Sequence, residues 1–296
     1  MAKVGRWLQD FEEVEEMLED RQAYSLGDVA NAVAKGSESL PELAAGSMRA
    51  AFGLSPSESV RDICGLLEAN GIKVLPIEIA SNAFFGLSVA PSDGGPAIVV
   101  NTWERISVER WIFSAAHELG HLVLHLHEYE VGEENEDERH EQEANRFAAH
   151  FLMPDEAFWD EWQETYGMAL VGRVLKVKRM FRVSYRTVLY RLAQGMDDPT
   201  VIWKKFQIEY KKQHGRTLIK EDEPEALAAD EFRAGYPEFL RAGEPDNLSP
   251  SDFQEDRLAR LVRMGVEKEL ITLSRAAEIL DLSLRDMRQL SSAWVG

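Results

Sequence analysis

Phe113-Ser-Ala-Ala-His117-Glu118-Leu-Gly120-His121-Leu-Val-Leu-His125 decides how the rest of the chain is read. Ser107, just ahead of it, suits a helix N-cap, and Glu109 places a carboxylate in the first turn where the helix dipole favours it. The spacing predicts one helix running to about Leu126, with Ile112, Ala116, Leu119 and Val123 as its core face. His117 and His121 stand four residues apart, so their imidazoles stack on one face with stems about 6 Å apart. One metal ion can bridge them. Glu118 is turned about 100° away and reaches the open side of such an ion without taking a ligand position. Gly120 in mid-helix costs about 1 kcal/mol and points to another backbone packed closely there.

This pattern is the chemistry of metal-assisted hydrolysis. Zinc polarises a carbonyl and acidifies water, and Glu118 is the expected base that takes the proton and later gives it to the departing amine. A catalytic zinc site needs a third protein ligand and one open position. His125, one turn further on, lies too far along the helix and reads as packing or support. His140, Glu141 and Glu143, all on the next predicted helix, stay open on residue type and periodicity.

Upstream, Val60, Ile63, Leu66 and Leu67 predict a helix ended by Asn70-Gly71. Three strands come next, Ile72–Ile79, Phe84–Val89 and Ala97–Asn101, with connections short enough to suggest a meander. Ala97–Asn101 reads either as an edge that pairs with an extended peptide or as an ordinary buried strand. Downstream, seven acids between Glu128 and Glu138 read as a solvated loop. A helix then begins near His140, buries Ala144, Phe147, Ala148, Phe151 and Leu152, and is limited by Pro154. The fold class is α+β and mostly helical, a small three-stranded sheet packed on the His117–His121 helix. The expected divisions are a helical appendage at 1–55, a catalytic core at 56–165, a helix-turn-helix-like unit at 166–200 and a helical region at 201–296.

A net charge of −19 argues against a general nucleic-acid binder, but the charge is uneven. Between Val171 and Lys220 thirteen Lys or Arg face three acids, giving +10 and leaving −29 for the remainder. Within that segment a helix, a short turn and a second helix capped by Ser184 have helix-turn-helix spacing, which makes nucleic acid contact through residues 171–220 one candidate use and plain helix packing the other. A second such pair starts at Ser274. Cys64 is the sole cysteine and sits in an apolar helical pattern, so no internal disulfide forms and a reducing cytoplasm is expected. No stretch approaches the about 20 apolar residues of a membrane span.

Ala97-Ile-Val-Val-Asn101, the 113–125 stretch and Glu143-Ala-Asn-Arg-Phe-Ala-Ala-His-Phe-Leu-Met-Pro154 together resemble the ImmA/IrrE family of bacterial metallopeptidases, over about residues 57–155 and in outline to about 195. The resemblance implies zinc as the metal, and Glu143, which precedes Ala-Asn, as its third ligand. It also implies a helix-turn-helix repressor as the protein substrate, cut to release genes for stress responses, mobile elements or anti-phage defence. The first fifty residues depart from many members in lacking a basic helix-turn-helix reader. By type, Tyr185, Tyr190 or His214 can stabilise the oxyanion. The rival class is a DNA- or partner-binding regulator, or a toxin-antitoxin component, whose zinc is structural.

Overall fold

A computed structural model describes residues 2–22, 24, 40–125, 138–194, 196–232 and 257–294. The acidic run up to Asp137 and the Gly- and Ser-punctuated stretch at 25–39 lie outside the described residues. The fold is α+β and mostly helical, with one small three-stranded sheet among the described residues.

Helix α1 (Ala2–Leu18) opens the chain, followed by α2 (Leu40–Ala51) and α3 (Ile63–Ala69), which Asp62 caps through the Gly65 amide. The strands are β1 (Lys73–Ile77), β2 (Gly86–Val89) and β3 (Ala97–Asn101), in spatial order β1-β3-β2. The meander is therefore corrected: β3 is central, parallel to β1 and antiparallel to β2. Composition explains the order. Every residue of β3 is buried, so it gains most from neighbours on both edges, whereas Pro76 has no N–H for a ladder and suits β1 to an outer position. The edge reading of Ala97–Asn101 is corrected with it; among the described residues β2 pairs on one side only.

Alternation along β3 divides the core. Ile98 and Val100 face the main cluster, while Ala97 and Val99 pack on Val4 and Leu8 of α1. The main cluster is built on α4 (Val108–Leu124) and α5 (Glu138–Leu152). All four residues of the expected α4 stripe and all five of the α5 face are buried. The two helices touch at Gly120, where a Cβ would stand 3.2 Å from Ala144 Cα and 3.0 Å from Phe147 Cδ1. The close backbone approach inferred from that glycine is the α5 crossing.

Beyond Pro154 come α6 (Asp155–Glu164), α7 (Leu170–Phe181), α8 (Tyr185–Ala193, capped by Ser184) and α9 (Thr200–His214). The last helices, α10 (Arg257–Glu267), α11 (Leu273–Ile279) and α12 (Leu284–Ala293), form a second cluster with Phe11, Val14 and Leu18 of α1. Helix α1 thus has the sheet on one side and the C-terminal helices on another. Glu15 fastens this junction by pairing with Arg257 at 2.5 Å and with Lys73 at 3.2 Å, all three side chains being buried.

Candidate metal centre

Ser107 starts α4 as the sequence leads one to expect, its hydroxyl accepting the Arg110 N–H at 3.3 Å. Three turns on, His117 Nε2 and His121 Nε2 lie 3.0 Å apart, with their side chains 13% exposed. A carboxylate closes the group. Glu141 Oε1 is 3.1 Å from His121 Nε2 and Glu141 Oε2 is 3.3 Å from His117 Nε2. Among the described residues this trio alone has the arrangement of three metal-ligating atoms within reach of one ion.

The other ring nitrogens decide whether the trio suits a cation. His117 Nδ1 is 3.2 Å from Asn145 Oδ1, an acceptor, so the proton belongs on Nδ1 and the Nε2 lone pair faces inward. His121 is set in the same way through His125. Glu143 Oε2 accepts from His125 Nε2 at 3.0 Å, which leaves His125 Nδ1 to accept from His121 Nδ1 at 3.1 Å and turns the His121 Nε2 lone pair inward as well. Two lone pairs and a carboxylate converging on one point repel unless a cation lies between them. In a tetrahedral zinc site, with bonds of about 2.0–2.1 Å to nitrogen, paired ligand atoms sit about 3.3 Å apart, which matches this set.

The structure thus brings Glu141, and not Glu143, to the paired imidazoles. Glu143 is held by His125 and by Arg139 at 2.8 Å. His140 is not at the centre either, its ring packing on His125 with centroids 4.3 Å apart.

Glu118 is 8% exposed, and burial holds its carboxyl above the usual range, against the opposing pull of His117, His121 and a hydrogen bond from Ser88. The space it occupies is made by β2: a Cβ on Gly86 would lie 2.8 Å from Glu118 Oε1 and 3.1 Å from the Val99 carbonyl oxygen. Neither Gly86 nor Ser88 stands out in the sequence, where a glycine opening a strand is the one available signal. Asn101 fixes the approach to β2. Buried at the end of β3, its side chain accepts from the Ile79 and Trp103 amides at 2.9 and 3.2 Å and donates to the Ile79 and Phe84 carbonyls at 2.8 and 2.9 Å.

Comparison with known proteins adds a family. Residues 67–193, which hold the sheet, α4, α5 and the helix pair, match the family model described as the IrrE N-terminal-like domain, a peptidase family. Over residues 67–193 the chain is similar to the ImmA/IrrE family. No curated protein matches the chain. A solved structure described as a Mycobacterium tuberculosis transcriptional regulator is 20% identical over 62% of this chain, with a TM-score of 0.37, and this chain covers 51% of its length. So distant a likeness carries no functional weight.

The ImmA/IrrE match ends with α8, and the segment after α9 bears on the expected nucleic acid contact. Lys178 of α7 is buried between Glu109 and Glu223. Glu223 also accepts the Tyr185 N–H at 3.0 Å, at the start of α8 where a helix-turn-helix reader meets its DNA. Arg179 pairs with Glu225, Arg182 donates to the Glu231 carbonyl and Arg186 to the Ile219 carbonyl. An acidic segment of the same chain therefore lies along the face of α7 and α8 that would read a duplex. Of the oxyanion candidates, Tyr185 is buried against Phe206, His214 stacks on Tyr210 at the end of α9, and Tyr190 is 39% exposed on α8. No described helix is long and apolar enough to cross a membrane.

Proposed function

We propose that this chain is a zinc-dependent endopeptidase in which His117, His121 and Glu141 hold the metal and Glu118 is the base. The single observation that carries this reading is the meeting of two inward-facing Nε2 atoms and the Glu141 carboxylate beside a buried glutamate. Zinc supplies Lewis acidity to the scissile carbonyl and to attacking water. The protein supplies the rest. Glu118 accepts the proton of the attacking water, its basicity raised by burial, and returns that proton to the amine that leaves. Ser88 holds the carboxylate in place, and Gly86 leaves it room. Among the described residues β2 pairs with a strand on one side only, and its outer edge next to Glu118 is where an extended polypeptide would add.

The substrate class is a helix-turn-helix repressor, as the family resemblance implies, and its cleavage would switch on a stress, mobile-element or defence response. Glu143 belongs to the support of His121 in this reading. The regulator alternative has less in its favour, because the arginines and helix start needed for DNA are engaged within the chain. The test is to incubate the zinc-loaded protein with the repressor encoded beside its gene. Two fragments are expected with the wild type and intact repressor with Glu118→Gln; cleavage by that variant contradicts the role given to Glu118.

A further inference from the structure

Arg110 is an exposed cation on the metal-bearing face of α4. Arg110, Ser114, His117 and His121 succeed one another at spacings of four, three and four, which keeps them on one stripe of the helix. The guanidinium comes two turns before His117, about 10 Å along the axis. It is clasped by rings. Its centre lies 4.3 Å from the Phe85 centroid and 5.5 Å from that of Phe113, and Phe113 in turn lies 6.5 Å from the His117 ring. Phe85 directly precedes β2, and its carbonyl accepts the Asn101 amide at 2.9 Å, so this wall is pinned to the end of the sheet.

The charge on Arg110 is not neutralised by a neighbour. Among the described residues no carboxylate lies within ion-pair distance of it; Glu141 is the acid whose charge it feels. In a chain of net charge −19, several other arginines are tied to acids or carbonyls, among them Arg191 to Asp155, Arg257 to Glu15, Arg179 to Glu225 and Arg49 to the Phe151 carbonyl. Contact with two rings holds the guanidinium without using its donors, which remain available to a ligand. A planar fork held in this way matches a carboxylate. An extended polypeptide advances about 3.3 Å per residue, so about 10 Å is roughly three residues of a substrate laid beside β2.

We propose that Arg110 is a specificity-determining residue that binds an Asp or Glu side chain of the substrate within about three residues of the bond cut. The assignment rests on the peptidase reading, and the same probes test the two separately. The probes are short peptide hydroxamates, whose hydroxamate anchors at the zinc, extending to either side of it and carrying Asp or its neutral isostere Asn at the first, second or third residue. The Asn probes report the metal site alone. The Asp to Asn affinity ratio reports Arg110.

With the zinc-loaded full chain, one position is expected to favour Asp about tenfold, in keeping with a charge-assisted hydrogen bond. Arg110→Ala should bring that ratio to about one, Arg110→Glu should invert it, and Arg110→Lys should keep part of it. The proposal is overturned by Asn probes that bind with no Asp preference at any position. It is also overturned if Arg110→Ala keeps the preference, or weakens Asp and Asn probes by the same factor, which would make Arg110 a partner of Glu141 only. Failure of every hydroxamate to bind the zinc-loaded wild type overturns the peptidase reading and this assignment with it.

Discussion

His125 Nε2 lies 3.0 Å from the Glu143 carboxylate, while its Nδ1 lies 3.1 Å from His121 Nδ1. In the proposed metal centre Glu143 therefore acts from one residue further out, by fixing which nitrogen of His121 carries the proton. Burial lowers the proton affinity of His125, which keeps its ring neutral and able to accept. Replacement of Glu143 by Ala should weaken zinc binding about 10- to 100-fold without abolishing it, as for other groups that orient a ligand. Competition with a chromogenic chelator measures this. Complete loss of zinc would return Glu143 to direct ligation.

Gly86→Ala should separate metal binding from chemistry. The new methyl would press on Glu118 Oε1 and Cγ and on the Val99 carbonyl, and the last of these is backbone that cannot swing away. Displacing the base by an ångström or so is expected to cost about 100-fold in turnover while zinc remains. The check pairs zinc content with the rate of repressor cleavage; wild-type turnover would mean that β2 does not shape the base.

Removing Glu15 takes the carboxylate from two buried cations. Lys73 and Arg257 both pair with it, and Arg257 keeps its bond to the Asp20 carbonyl at 2.8 Å and a 4.0 Å approach to the Asp20 carboxylate. Glu15→Ala should lower unfolding stability by about 3–5 kcal/mol, the cost of unpaired buried charge. Denaturant unfolding would read it, and a loss below about 1 kcal/mol would fit only an exposed pair.

Glu223 gives the folded state a pH dependence. Burial pushes its carboxyl up to about 7 from an ordinary value of 4.5, despite the nearby Lys178. The folded protein then holds this proton more tightly than the unfolded chain, so the contribution of Glu223 to stability is fully present below about 4.5 and is lost as pH rises through about 7. Glu223→Gln removes that titration. The stability of the wild type relative to the variant should fall between pH values of about 5 and 8; a difference that stays level or rises would contradict the shift.

Much of this is legible in the chain because it depends on local spacing. The Ser107 cap, the imidazole pair, the apolar stripe of α4 and the close contact at Gly120 all derive from helical periodicity. The choice between Glu141 and Glu143 does not. Both flank the buried face of α5, and what separates them is the rotation of α5 against α4, which places Glu141 and Asn145, one turn apart, on His117. Strand order escapes a sequence reading for a related reason. Short connections favour a meander, but the burial of β3 on both faces overrides that preference. The acidic cover on α7 and α8 is hidden because Glu223 and Glu225 meet Lys178 and Arg179 across more than forty residues.

The central claim is that Glu141 completes the ligand set while Glu118 stands outside it, and zinc titration of Glu141→Ala and Glu118→Gln, followed by equilibrium dialysis, tests it most directly. Glu118→Gln is expected to hold about one zinc per chain as tightly as the wild type, and Glu141→Ala to lose at least about 100-fold in affinity. Wild-type affinity in Glu141→Ala, or loss of zinc in Glu118→Gln, would contradict the assignment.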